Sequence, residues 1–160
     1  MYQYKTEYGT NDNRIHLLAE EIQWQETSVD HVSPQVIWEF CREALRLDRQ
    51  TEEYVCCLCY DAAQHLLGLF EVGHGTVNAS LVSPREVFQK ALLVGAVSIV
   101  LVHNHPSQDL TPSQPDKELT TRIARAGELM GVRLLDHIVV GKERYYSFRE
   151  CARESLEVAP

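Results

Sequence analysis

The chain is short of positive charge. Its 160 residues carry 15 lysines and arginines against 23 aspartates and glutamates, a formal net charge of −8. Proteins that hold nucleic acid by neutralising phosphates need a basic stripe or cluster. None is visible, so the electrostatic footprint of a DNA-binding domain is missing, although acidity alone does not exclude such a partner. No apolar run reaches the roughly 18 residues a membrane helix requires. The opening MYQYKTEYGTNDNR lacks the charged-then-apolar profile of a secretory signal, which makes the cytoplasm the expected location. A disulfide framework is also missing. The five cysteines (Cys41, Cys56, Cys57, Cys59 and Cys151) are odd in number and cluster in YVCCLCY. Cys56 and Cys59 form a C-x-x-C, the spacing of a redox pair or half a zinc site. There is no second pair, and the surrounding Val, Leu and Tyr read as a buried strand, so reduced core cysteines are the plainer reading. No repeat and no linker divides the chain, and its length suffices for one domain with its own core.

What is present alternates between strand and helix signals. IHLLAEEIQW fits either a strand or a helix, and the conformation of residues 1–32 stays open. SPQVIWEFCREALRLDRQ reads as a helix with Ser33 as N-cap, Pro34 at the first position, and Val36, Phe40 and Leu47 near one face. YVCCLCY and HLLGLFEV form a hairpin around DAAQ. SPREVFQKALLVG is a second helix, capped by Ser83 with Glu86 where a capping box places its acid. AVSIVLVH is an apolar run of the kind buried on both faces of a sheet. A third helix spans about Ser113 to Met130, with Leu119, Ile123, Ala126 and Met130 as its stripe and Gly131 as its stop. VRLLDHIVVG and RYYSF supply the last strands before a short helical tail. The pattern predicts an α/β sandwich.

The central strand ends in HNHPSQDLTPSQPD. Residues i and i+2 of an extended segment point to one side, so His103 and His105 present two imidazoles together where the strand runs out. Asp116 falls in the first turn of the next helix, where the helix dipole favours a carboxylate that faces back toward the strand end. Two imidazoles and one carboxylate, with a fourth position left for water, is the ligand set of a catalytic zinc site. Histidines that merely end a strand would not need the downstream aspartate. The adjacent letters His-Asn-His also suggest a nuclease, but in that motif they are scattered over tens of residues.

HNHPSQDLTPSQPD fits H-x-H-x7-S-x2-D, and the chain resembles the JAB (MPN/JAMM) zinc metalloprotease family. With GTVNASLVSPREVF and LLDHIVVG on either side, it is most similar to the RadC branch from about Tyr54 to Glu150. The resemblance implies a cytidine-deaminase-like mixed β-sheet sandwiched by helices. Residues 53–160 would form that domain, with 1–52 an N-terminal segment packed on it. It implies a zinc-dependent peptidase or isopeptidase, with His103, His105 and Asp116 holding Zn2+ and Ser113 helping to hold the developing oxyanion. The family also requires an upstream glutamate as general base. By position that is Glu71, an acid in an apolar strand; the rival is Glu86, whose place at a helix start already has a structural explanation. The substrate would be a protein or peptide, such as the extended tail of a ubiquitin-like protein added as a strand at a sheet edge. His137, within an apolar strand, reads as a satisfied core histidine before a supporting role. His74, near Glu71, reads equally as groove or loop.

RadC proteins commonly carry a helix-hairpin-helix module ahead of this domain, and the first 50 or so residues show neither its glycine hairpins nor its basic character. The competing reading is a non-enzymatic DNA repair or recombination accessory protein that keeps a structural metal. Stability alone would require neither a base nor a serine.

Overall fold

The computed structural model describes residues 2–8, 15–21, 32–75 and 82–157. β1 (Tyr2–Tyr8) and β2 (Ile15–Glu21) precede helix α1 (Pro34–Glu43), and β3 (Glu53–Tyr60) and β4 (Leu66–Gly75) form the hairpin. Then come α2 (Pro84–Leu93), β5 (Ser98–Asn104), α3 (Gln114–Met130), β6 (Arg133–Val140), β7 (Tyr145–Ser147) and α4 (Phe148–Glu157). The stretch that fits strand or helix is strand over 15–21, and residues 22–24 lie outside the described residues, as does most of GTVNASLV. No helix among the described residues is long and apolar enough to cross a membrane.

Seven strands build one mixed sheet in the order β2-β1-β4-β3-β5-β6-β7. β5 runs antiparallel to β3 and parallel to β6, so the strand with the most continuous apolar run lies between two neighbours. All of its residues are buried, as a strand covered on both faces requires. Alternation sorts the side chains into two cores. Val55, Cys57, Cys59, Phe70, Ile99 and Leu101 face α2 and α3, meeting Val87, Phe88, Leu119 and Ile123. Cys56, Leu58, Tyr60, Leu69, Val100 and Ile138 face α1, meeting Ile37, Trp38 and Phe40. Cys56 and Cys59 therefore point to opposite sides of β3 and cannot act as a pair; all three cysteines of this strand are buried and free.

The first helix is shorter than its sequence pattern predicts. It stops at Glu43 because Arg46 turns into the left-handed region (φ 54°), after which a 3-10 turn over Leu47–Arg49 buries Leu47. Its buried residues include Ile37, Phe40 and Cys41, while Val36 is only partly covered, and the Ser33 side chain makes no capping bond. Trp38 instead anchors the helix, its indole N–H donating to Gly141 O at 2.8 Å. The second helix keeps the predicted cap: Glu86 accepts from the Ser83 backbone N–H at 3.1 Å and from its hydroxyl. α3 closes on Gly131 at φ 68°, a conformation glycine adopts without strain. Its buried face runs through Asp116, Leu119, Ile123 and Gly127, whereas Met130 is exposed. A carboxylate thus begins a stripe that is otherwise apolar.

Candidate metal centre

That carboxylate is placed by a cap. Ser113 is the N-cap of α3, and the Asp116 N–H donates to Ser113 Oγ at 3.3 Å. In return Asp116 Oδ2 accepts from the Ser113 backbone N–H at 2.7 Å and from its hydroxyl at 2.6 Å. The reciprocal bonds fix the side chain against the helix start. They leave Oδ1 directed at His103 Nε2, 3.5 Å away, and Oδ2 at 3.5 Å from His105 Nε2. Buried to 1 % exposure, this charge requires partners, and the two imidazoles are its natural ones.

The two imidazole Nε2 atoms lie 3.0 Å apart. His105 Nδ1 lies 2.5 Å from Asp109 O, and a carbonyl can only accept, so the proton of a neutral His105 sits on Nδ1 and its Nε2 is a bare lone pair. Ligand bonds of about 2.0–2.2 Å in tetrahedral array place neighbouring donor atoms roughly 3.3 Å apart. The spacings of 3.0, 3.5 and 3.5 Å lie near that requirement, the two longer ones each reaching a different oxygen of the Asp116 carboxylate. Two ring nitrogens and a carboxylate gathered at one point are a donor set that a zinc-type cation fits. Without a cation, a proton has to separate the nitrogens.

A second carboxylate joins them. Glu53, the first residue of β3, offers an oxygen so that its ligand atom and those of His103, His105 and Asp116 all lie within 4.8 Å of one another. The placement follows from the ladder. Val55 pairs with His103, and Glu53, two residues earlier on the same face, arrives beside the imidazoles. Asn104 fixes the segment: its Oδ1 accepts from the Tyr54 N–H at 2.8 Å and its Nδ2 donates to Glu52 O at 2.9 Å. One buried amide thus grips the backbone on both sides of Glu53.

Glu71 does not reach the cluster. It pairs with Cys56, a residue of the α1-side core, and so belongs to the opposite face of the sheet. Its side chain is exposed and its Oε1 lies 2.9 Å from His74 Nδ1. His74 stacks on Tyr54, also away from the centre. Glu86 is occupied by its helix cap, and its bonds with Ser83 hold it below the usual carboxylate range. His103, His105, Asp116 and Ser113 come together as expected. His137 is fully buried, with Nε2 at 2.9 Å from His103 Nδ1, so it is a core histidine that touches the centre. Glu53 and Asn104 are the residues that local spacing did not single out. The signal for Glu53 lies in TEEYVCC, where two acids precede a strand that must pair with the histidine-bearing one.

Electrostatics divide the groups. Burial would raise Asp116, but its bonds with His105 and Ser113 and the nearby His103 prevail and hold it well below the usual range. The bond to Asp116 raises His105. Burial, reinforced by His137, keeps His103 well below its ordinary value, and burial brings His137 down to about 4. Glu53 is raised, first by burial and then by the charge of Asp116, with His105 opposing. Glu53, His105, Ser113 and Asp116 line one cleft of about 470 Å³, so the cluster opens to solvent on the side where Glu53 stands.

Fold and cluster define an α/β domain with a candidate metal centre of two histidines and two carboxylates at the end of its central strand. The chain matches the RadC-like JAB domain over residues 31–154 and belongs to that family. It is 40% identical over 114 residues to a UPF0758 protein of Thermotoga maritima, covering 71% of this chain and 50% of that one. A UPF0758 protein of Pelobacter propionicus is 42% identical over 118 residues, with 74% and 51% covered. The chain spans about half the length of the curated relatives it matches.

Proposed function

We propose that this domain is a zinc-dependent metallopeptidase or isopeptidase of the JAB type, with His103, His105 and Asp116 as ligands and Glu53 as the base. The observation that carries the reading is the convergence of Glu53 on the histidines and Asp116 from the open side of a cleft. A zinc ion held by the two Nε2 atoms and the Asp116 carboxylate would supply polarisation of an amide carbonyl and acidification of water.

The remaining chemistry belongs to the chain. A carboxylate raised toward neutrality by burial and by Asp116 suits general base work, because it binds a proton readily and releases it again. Glu53 takes the proton from water entering the cleft and returns it to the departing amide nitrogen. Asn104 holds it in reach through Glu52 O and the Tyr54 N–H. Ser113, on the rim of the cleft, turns its hydroxyl to the substrate oxygen as charge develops there. The Ser113 backbone N–H, at 2.7 Å from Asp116 Oδ2, keeps that carboxylate in place meanwhile.

The competing reading, an accessory protein with a structural metal, would spend Glu53 as a fourth ligand and leaves the open cleft without a use. A structural zinc closes its shell with protein ligands and needs no base at its open side. The deciding experiment combines elemental analysis with cleavage of a panel of peptide and isopeptide fusions, including ubiquitin-like tails. Hydrolysis that follows zinc content supports the peptidase. Stoichiometric zinc without cleavage of any member, alone or with cell extract added, returns the reading to a structural metal.

A further inference from the structure

We infer that His137 and Thr120 are positioning residues that dictate which nitrogen of His103 carries its proton, and so keep the ligand atom bare. The inference rests on the metal-centre reading above and concerns the side of His103 turned away from the ion.

The argument is one of donors and acceptors. Thr120 Oγ1 lies 2.7 Å from Asp116 O, one turn back along α3. A carbonyl can only accept, so the single hydroxyl proton points there. Thr120 Oγ1 also lies 2.7 Å from His137 Nδ1. With its proton committed, the hydroxyl must accept, and His137 therefore carries its proton on Nδ1. His137 is fully buried, and its ring nitrogens meet His103 and Thr120 and no carboxylate, so the ring is neutral and its Nε2 is an acceptor. His103 Nδ1, 2.9 Å away, must then donate. A neutral His103 with its proton on Nδ1 has a lone pair on Nε2, the atom 3.5 Å from Asp116 Oδ1 and 3.0 Å from His105 Nε2.

The chain of bonds closes on itself. It starts at the backbone carbonyl of Asp116, passes Thr120, His137 and His103, and ends facing the carboxylate of the same Asp116. Phe148 stacks on His137 with ring centroids 5.0 Å apart and keeps the imidazole from turning over. The alternative direction, with the proton on His103 Nε2, would block the ligand position. It requires Thr120 to donate to His137 and to give up its hydroxyl bond to the Asp116 carbonyl. Thr120 is thus the residue that breaks the symmetry between the two directions, and His137 transmits its choice. His105 needs no such relay, because Asp109 O sets its form directly.

The test uses the full chain and two variants. Thr120→Val keeps the shape but has neither donor nor acceptor, and Thr120→Ser restores the hydroxyl. Nitrogen-15 spectra of the metal-stripped wild type should show both His103 and His137 protonated on Nδ1. Thr120→Val should lose that pattern and bind zinc roughly 10–100-fold more weakly in a chelator competition. Thr120→Ser should recover both readouts to within a few-fold. A merely structural role for Thr120 would move the melting temperature without moving the tautomer. The inference is overturned by His103 protonated on Nε2 in the wild type, or by Thr120→Val with unchanged spectrum and zinc affinity. A wild type that binds no zinc defeats the metal-centre reading instead, and the metal-free spectra still decide the direction of the relay.

Discussion

Glu53 stands close enough to Asp116 for one carboxylate to raise the proton affinity of the other. The two acids are unequal: Asp116 is tied to Ser113 and both histidines and stays ionised, while Glu53 is free to gain and lose a proton. Glu53→Gln should therefore bind one zinc per chain and lose about 10²–10⁴-fold in hydrolysis. Glu71→Gln, on the opposite face, should keep the wild-type rate. Equal losses in both variants, measured as kcat/KM on one substrate, would remove Glu53 from its role.

The same shift has a stability consequence. An acid whose folded pKa is raised destabilises the fold wherever it is ionised, and not where it is protonated in both states. In chelator, Glu53→Gln should melt higher than wild type at neutral pH. The gain should shrink as pH falls through the raised Glu53 value and vanish below the ordinary carboxylate range. A gain that persists in acid would point to packing as its cause.

His105→Ala should abolish stoichiometric zinc, measured by elemental analysis, while circular dichroism shows the fold intact. The two cores lie on either side of a sheet whose central strands are apolar, and neither uses His105. Full zinc in this variant would exclude His105 as a ligand.

Zinc affinity should fall in mild acid. A proton and a cation compete for His105 Nε2, and Asp116 raises the affinity of that nitrogen for the proton. Affinity should be level above the raised His105 value and drop about tenfold per pH unit below it, beginning above the ordinary histidine value near 6.5. Competition titrations across pH 5–9 read this directly, and an affinity independent of pH would contradict the assignment.

Duplex DNA should bind only in the micromolar range or weaker at about 150 mM salt. Arg42, Arg46, Arg49 and Lys142 do gather around one surface cleft, but Glu43 and Asp48 share it, and no continuous basic track results. Nanomolar binding by fluorescence anisotropy would restore the accessory-protein reading.

The three residues proposed as metal ligands were legible because their geometry is local. His103 and His105 are related by the repeat of a strand, and Asp116 by the first turn of the helix that follows. The proposed base was not, because Glu53 is brought in by a ladder between strands, read from Val55 and His103, 48 residues apart in sequence. Glu71 looked buried because its neighbours Phe70 and Val72 are, yet alternation turns it to the other face, where it is open to solvent. Ser83 and Glu86 were legible as a cap, and that assignment holds against a catalytic role for Glu86. Ser33 shows the reverse case: the letters of a cap were present, but the side chain makes no such bond.

β3 is apolar on both faces, from Val55 through Tyr60. Hydrophobic patterning normally punishes a strand that slides by one residue, because its core side chains would turn to water. Here a slip would keep apolar side chains on both faces, although Leu58 and Tyr60 would trade places with smaller cysteines, and it would move Glu53 to the α1 face. A tie against that error comes from Asn104, whose amide bonds Glu52 O and the Tyr54 N–H on either side of Glu53. The middle letter of His-Asn-His, which binds no metal and moves no proton, acts as the index mark by which two strands find their alignment.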